Sequence, residues 1–289
     1  MRRLGRRRAV GLLASILLIS GCIGSGTPRE SAASPSETVS PSPSPSTEPQ
    51  RCGYQLASFP VTVDARPGVD PGVVHDVREG VALAHRAFRA MVPSCERGSV
   101  RIVVLDRDHG SVAAQTLVQA APRFTMQVFG RGAFERTPSS FRPIVILHEW
   151  YHVLQFSFLD CGEHCLPPSE PVPDWLIEGA AVEESLSEAA RLHLGFYSFF
   201  RTGEIAQAER VDDPLRSLDK IRLPGKNYAL AFAAVELLVA QHGHASLERL
   251  WARTGATGDW RAAFKRTFGE TVGGFYQEFE TYRANGFRA

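Results

Sequence analysis

The apolar residues Pro143, Ile144, Val145, Ile146 and Leu147 lead without a break into His148-Glu149-Trp150-Tyr151-His152. The stretch "FRPIVILHEWYHVLQFSFL" has the spacing of a helix, and on a helix residues i and i+4 lie one above the other. His148 and His152 therefore aim their imidazoles at a common point about 2 Å from each, a geometry that suits zinc. Glu149 lies one step round, off the metal and beside its open position, where a carboxylate can take a proton from a metal-activated water. The same residues also fit a core helix with two ordinary histidines. A third ligand decides between the two.

The ends of the chain say where such a helix works. Residues 1–21 carry five arginines and no acid, then an apolar stretch from about Ala9 to Ile19 and small residues ahead of Cys22. That is the layout of a signal peptide, too short for a membrane span. Ile19-Ser20-Gly21-Cys22 resembles a bacterial lipobox, which implies cleavage before Cys22 and a lipid anchor on its sulfur. A plain secretory signal is the alternative, and the paired arginines leave the twin-arginine export route open. Residues 22–50, mostly Ser, Pro, Thr and Glu, cannot bury enough apolar surface to offset the entropy of ordering and read as a lipidated tether. Residues 51–289 are then one folded domain held outside the cytoplasm, against the cell membrane. The formal net charge of +1 becomes about −4 once the arginines of the signal are removed, so nothing points to nucleic acid.

Besides Cys22 there are four cysteines, Cys52, Cys95, Cys161 and Cys165, an even number in an exported chain. Two disulfides are expected, with Cys52–Cys95 and Cys161–Cys165 the favoured pairing of three. A second metal site on Cys161, His164 and Cys165 competes with the second bridge.

Ahead of residue 140, strand-like runs ("FPVTVDA", "SVRIVVLD", "RFTMQVFG") alternate with a helical stretch that opens on Pro71. "RFTMQVFG" suits either a sheet edge along which a substrate extends or a buried strand. Beyond it nearly everything has helical spacing. The expected class is α+β, an N-terminal strand/helix lobe followed by a mainly helical lobe.

The third ligand comes from "PDWLIEGAAVEES", residues 173–185. Pro173 and Asp174 start a helix, and Glu178 follows Trp175, Leu176 and Ile177. A carboxylate among such neighbours is costly to bury without a cation, and zinc is one.

"HEWYHVLQF" followed by "PDWLIEGAA" resembles the gluzincin group of zinc metallopeptidases, in which a His-Glu-x-x-His helix precedes a helix with a "WLxEG" core. The resemblance covers about residues 140–285 and implies a zincin-like helical lobe of the thermolysin-like MA clan. It makes His148, His152 and Glu178 the zinc ligands and Glu149 the general base. It also implies a tyrosine or histidine that steadies the oxyanion from a later helix. Tyr228, placed like the tyrosine of the aminopeptidase "PYEKG" region, is the first choice, and His242 and His244 are the others. The chain departs from the pattern twice. It lacks the Gly-x-Met-Glu-Asn segment of aminopeptidases, and Val182 stands where an acid orients a histidine, with Glu183 one residue later. Taken together these features indicate an extracytoplasmic, membrane-tethered zinc metallopeptidase acting on peptides or proteins. A non-catalytic binding lipoprotein with a peptidase fold, and a metallohydrolase of another substrate, are the alternatives.

Overall fold

The computed structural model describes residues 60–88, 99–120, 123–159, 168–220, 223 and 225–288. The signal, the tether and all five cysteines lie outside the described residues, and the disulfide, lipidation and boundary expectations lie there with them. The architecture is mixed α+β, mostly helical with a small sheet.

Strand β1 (Val61–Ala65) leads into helix α1 (Pro71–Ala87), which starts on Pro71 and is capped by Asp70 accepting from the Gly72 amide at 2.6 Å. Strand β2 (Ser99–Leu105) returns parallel to β1; β3 (Ala114–Ala120) and β4 (Arg123–Phe129) form an antiparallel hairpin. The order is β1-β2-β4-β3, with β2 and β4 parallel. Val100, Ile102 and Val104 of β2 sit opposite Phe124, Met126 and Val128 of β4, and all six are buried. With period-two alternation they form one apolar face.

That register decides between two readings. "RFTMQVFG" is β4, an interior strand paired on both sides, and β3, which the sequence did not single out, is the edge. β3 escaped notice because "AAQTLVQA" mixes alanine and glutamine with few β-branched residues, a weak strand signal.

After the short α2 (Ala133–Arg136), α3 (Arg142–Leu159) runs through the centre of the molecule; every residue from Pro143 to Leu159 except Phe156 is buried. Arg142 pins its start, pairing with Asp76 of α1 at 2.7 Å and donating to the carbonyls of Thr137 and Glu135. Gly80 permits α1 to lie directly on α3, since a methyl there would come within 2.6 Å of Ile146. Helix α4 (Asp174–Arg191) packs on α3; its buried Trp175 donates to Asp219 at 3.0 Å and to the Tyr276 hydroxyl at 3.3 Å. Helices α5 (Tyr197–Ala208), α6 (Tyr228–His242), α7 (Ala245–Thr257), α8 (Trp260–Phe268) and α9 (Val272–Ala284) complete the described fold. Neither the four-residue α2 nor α5, with its aromatic start and Gly203, was among the helical stretches read from the sequence. Among the described residues no helix is long and apolar enough to cross a membrane.

Helices α4 and α6 approach so closely at Gly179 that any Cβ would collide with the Ala231 carbonyl oxygen. Gly179→Ala should lower stability by about 1–3 kcal/mol in equilibrium urea unfolding, the usual cost of overpacking. Gly203→Ala, whose Cβ meets nothing, should raise it by about 0.4–1 kcal/mol by restricting the unfolded chain. Equal responses at the two glycines would contradict the close helix contact.

Candidate metal centre

Three side-chain atoms converge where α3 packs on α4. The Nε2 atoms of His148 and His152 are 3.1 Å apart, and each lies 3.3 Å from Oε2 of Glu178. All three residues are buried, at 3 %, 0 % and 3 % exposure. The near-equilateral triangle is informative, because ligand atoms of a tetrahedral zinc with bonds of about 2.0 Å stand about 3.3 Å from one another. Glu178 Oε2 finds no well-directed hydrogen-bond donor and faces only the two imidazole nitrogens. Two imidazoles and a carboxylate aimed at one point, with a buried oxygen left over, fit a divalent metal, and this is the one such cluster among the described residues. Burial opposes ionisation of Glu178, but the His152 and His148 imidazoles beside it prevail and hold its carboxyl down at about 2.

Glu149, fully buried on the same helix, meets a residue from the sheet. The Thr116 hydroxyl lies 2.9 Å from Glu149 Oε2 and 2.9 Å from its backbone carbonyl oxygen. Thr116 faces α3 because its partner on β4 is Met126, on the apolar face of the sheet. No local sequence signal marks it.

The histidines differ in their outer contacts. His152 Nδ1 lies 2.7 Å from Gln155 Oε1, and Gln155 Nε2 donates to the Ile177 carbonyl at 2.8 Å. Nδ1 of His148 has no hydrogen-bond partner among the described residues. Glu183, the acid considered for histidine support, accepts instead from Tyr197 at 2.7 Å. Gln155 was legible only as a residue three positions past His152, on the same helix face.

Tyr228 is the first residue of α6 and is buried. It precedes by one turn Ala231, whose carbonyl abuts Gly179 beside Glu178, so this end of α6 adjoins the start of α4. His242 and His244 lie at the other end of α6. His242 packs on Phe268, and His244 pairs with Glu184 at 2.8 Å. The structure groups neither with the three converging side chains.

No protein-family model matches this chain, and no curated protein does. Among solved structures, an M1 zinc metallopeptidase from Deinococcus radiodurans superposes with a TM-score of 0.50 over 81% of this chain and 51% of that one, at 16% identity. The likeness is one of fold, and the chain spans about half the length of that enzyme.

Away from the triad, buried carboxyls shape the response to pH. Burial pushes Glu204 of α5 up to about 7, and it has no hydrogen-bond or ion-pair partner among the described residues. Burial likewise raises Glu183 to about 7, against the hydrogen bond from Tyr197. Between about pH 4.5 and 7 the folded state keeps protons that the unfolded chain has released, so stability falls as pH rises through this window. Glu204→Gln removes one such group and should raise stability at pH 7.5 by on the order of 2 kcal/mol while changing little at pH 4.5, as urea unfolding at both values would show. A gain equal at both pH values would mean that Glu204 titrates normally.

Proposed function

We propose that this chain is a zinc-dependent peptidase, held outside the cytoplasm by a lipid on Cys22, with His148, His152 and Glu178 as metal ligands. The observation that carries the reading is the buried triangle of ligand atoms, whose edges of 3.1–3.3 Å match those of tetrahedral zinc, on the helix that also carries Glu149. A zinc ion bound there would polarise a carbonyl and acidify a water.

The chain's own groups do the rest. Glu149 accepts the proton of the attacking water and later passes it to the leaving amine. Thr116 suits that cycle. Its single hydroxyl proton serves the carboxylate while Glu149 is charged, and the backbone carbonyl 2.9 Å away once Glu149 has taken a proton. Tyr228 donates to the developing oxyanion, a role for a neutral phenol. The outer edge of β3, which no described strand covers, offers main-chain groups to an extended peptide on the strand that touches Glu149.

An intact base supports a hydrolase over a purely structural metal, which needs none. Residues 51–289 should bind about one zinc per chain, and His148→Ala or Glu178→Ala should lose most of it by atomic absorption after dialysis. Full occupancy in Glu178→Ala would remove that residue from the metal.

Glu149→Gln should keep fold and zinc and lose hydrolysis of a peptide library by about 10² or more, since an amide cannot accept the proton. Comparable cleavage by the variant would refute the base assignment. Zinc uptake without cleavage by the wild-type chain would favour the binding-lipoprotein reading.

A further inference from the structure

We propose that Gln155 is a positioning residue that places the proton of His152 on Nδ1, and so keeps the Nε2 lone pair free for a metal. The inference rests on the zinc reading and concerns how this chain builds the site without the acid that Val182 replaces.

The Ile177 carbonyl oxygen can only accept, so the group of Gln155 that faces it at 2.8 Å is the amide NH₂. Planarity of the side-chain amide then turns Oε1 toward His152, where it stands 2.7 Å from Nδ1. An amide oxygen can only accept in turn, so Nδ1 carries the hydrogen. In a neutral imidazole that leaves Nε2 bare, and Nε2 is the atom that faces Glu178 and His148. The opposite amide orientation sets oxygen against oxygen at Ile177 and drives the imidazole proton onto Nε2, into the space a metal needs. Gln155 is fully buried, so water offers it no substitute partners.

The same two bonds tie the ligand helices together. Gln155 is one turn past His152 on α3, and Ile177 directly precedes Glu178 on α4, so the relay runs from one ligand to the neighbour of another. His148, with no Nδ1 partner among the described residues, gains no such support.

Gln155→Met keeps the shape of the side chain and removes both bonds. Gln155→Glu keeps an acceptor for Nδ1–H but loses the donation to Ile177, whose carbonyl then faces a carboxyl oxygen that must carry a proton or turn aside. Zinc dissociation constants, measured by chelator competition on proteins shown folded by circular dichroism, separate the roles. Gln155→Met should weaken zinc about 10- to 100-fold, the usual cost of losing a histidine's outer partner, and Gln155→Glu should stay within about threefold of wild type. Equal weakening in the two variants would overturn the proposal and leave Gln155 as a bridge between helices. So would wild-type affinity in Gln155→Met. If Gln155→Met does not fold, Gln155→Asn, one methylene too short for both partners, takes its place in the comparison. A wild-type chain that takes up no zinc would bring down the metal reading and this inference together, whereas tight wild-type binding with an indifferent Gln155→Met would bring down this inference alone.

Discussion

A carboxylate and two imidazoles, sealed from solvent and pointing at one another, set the terms for the rest of the molecule. Each group would lose free energy on leaving water unless it found a partner, and Glu178 Oε2 faces none but the imidazole nitrogens. Holding that arrangement requires α3 and α4 to keep a fixed register, and several features serve that end. Arg142 anchors the start of α3 to Asp76, Trp175 ties the start of α4 to Asp219 and Tyr276, and Gly179 brings α6 hard against the turn that carries Glu178. Gln155 adds a direct polar link between the two ligand helices.

The parts of this centre that were legible in the sequence are those whose geometry is local. The spacing of His148 and His152 translates into a shared face by helix periodicity alone, and Glu178 stood out as an acid in an apolar setting. The α+β class and most helices followed from hydrophobic period in the same way. Thr116 was invisible because it reaches Glu149 across 33 residues and through the facing of a strand that was itself missed. Gln155 was in plain view at i+3 from His152, but only the carbonyl of Ile177, from another helix, gives its amide a direction. Val182 announced that some partner had to differ, and the structure shows Glu183 engaged elsewhere, with Tyr197.

A neutral amide in the place of an acid has a chemical consequence. A carboxylate behind a ligating imidazole raises its basicity and adds a charge to the centre; an amide fixes the tautomer without adding charge. With zinc bound as proposed, the buried carboxylates of Glu178 and Glu149 would face its two positive charges, a balance that suits a largely buried site.

The sheet contributes to this centre through a matter of parity. Strand side chains alternate between faces, so shifting β3 by one residue would turn Thr116 away from α3 and present Gln115 or Leu117 to Glu149 instead. The register is held on the opposite face, where Gln115 and Gln127 are directly paired and the amide of one donates to the oxygen of the other at 2.8 Å. The irregularity in the ladder comes later, between Val118 and Ala120, so the strand bends only after Thr116 has been placed. A polar pair on the outer face of the hairpin thus fixes which hydroxyl meets the proposed base on the inner one, and it does so on the edge strand against which a peptide would lie.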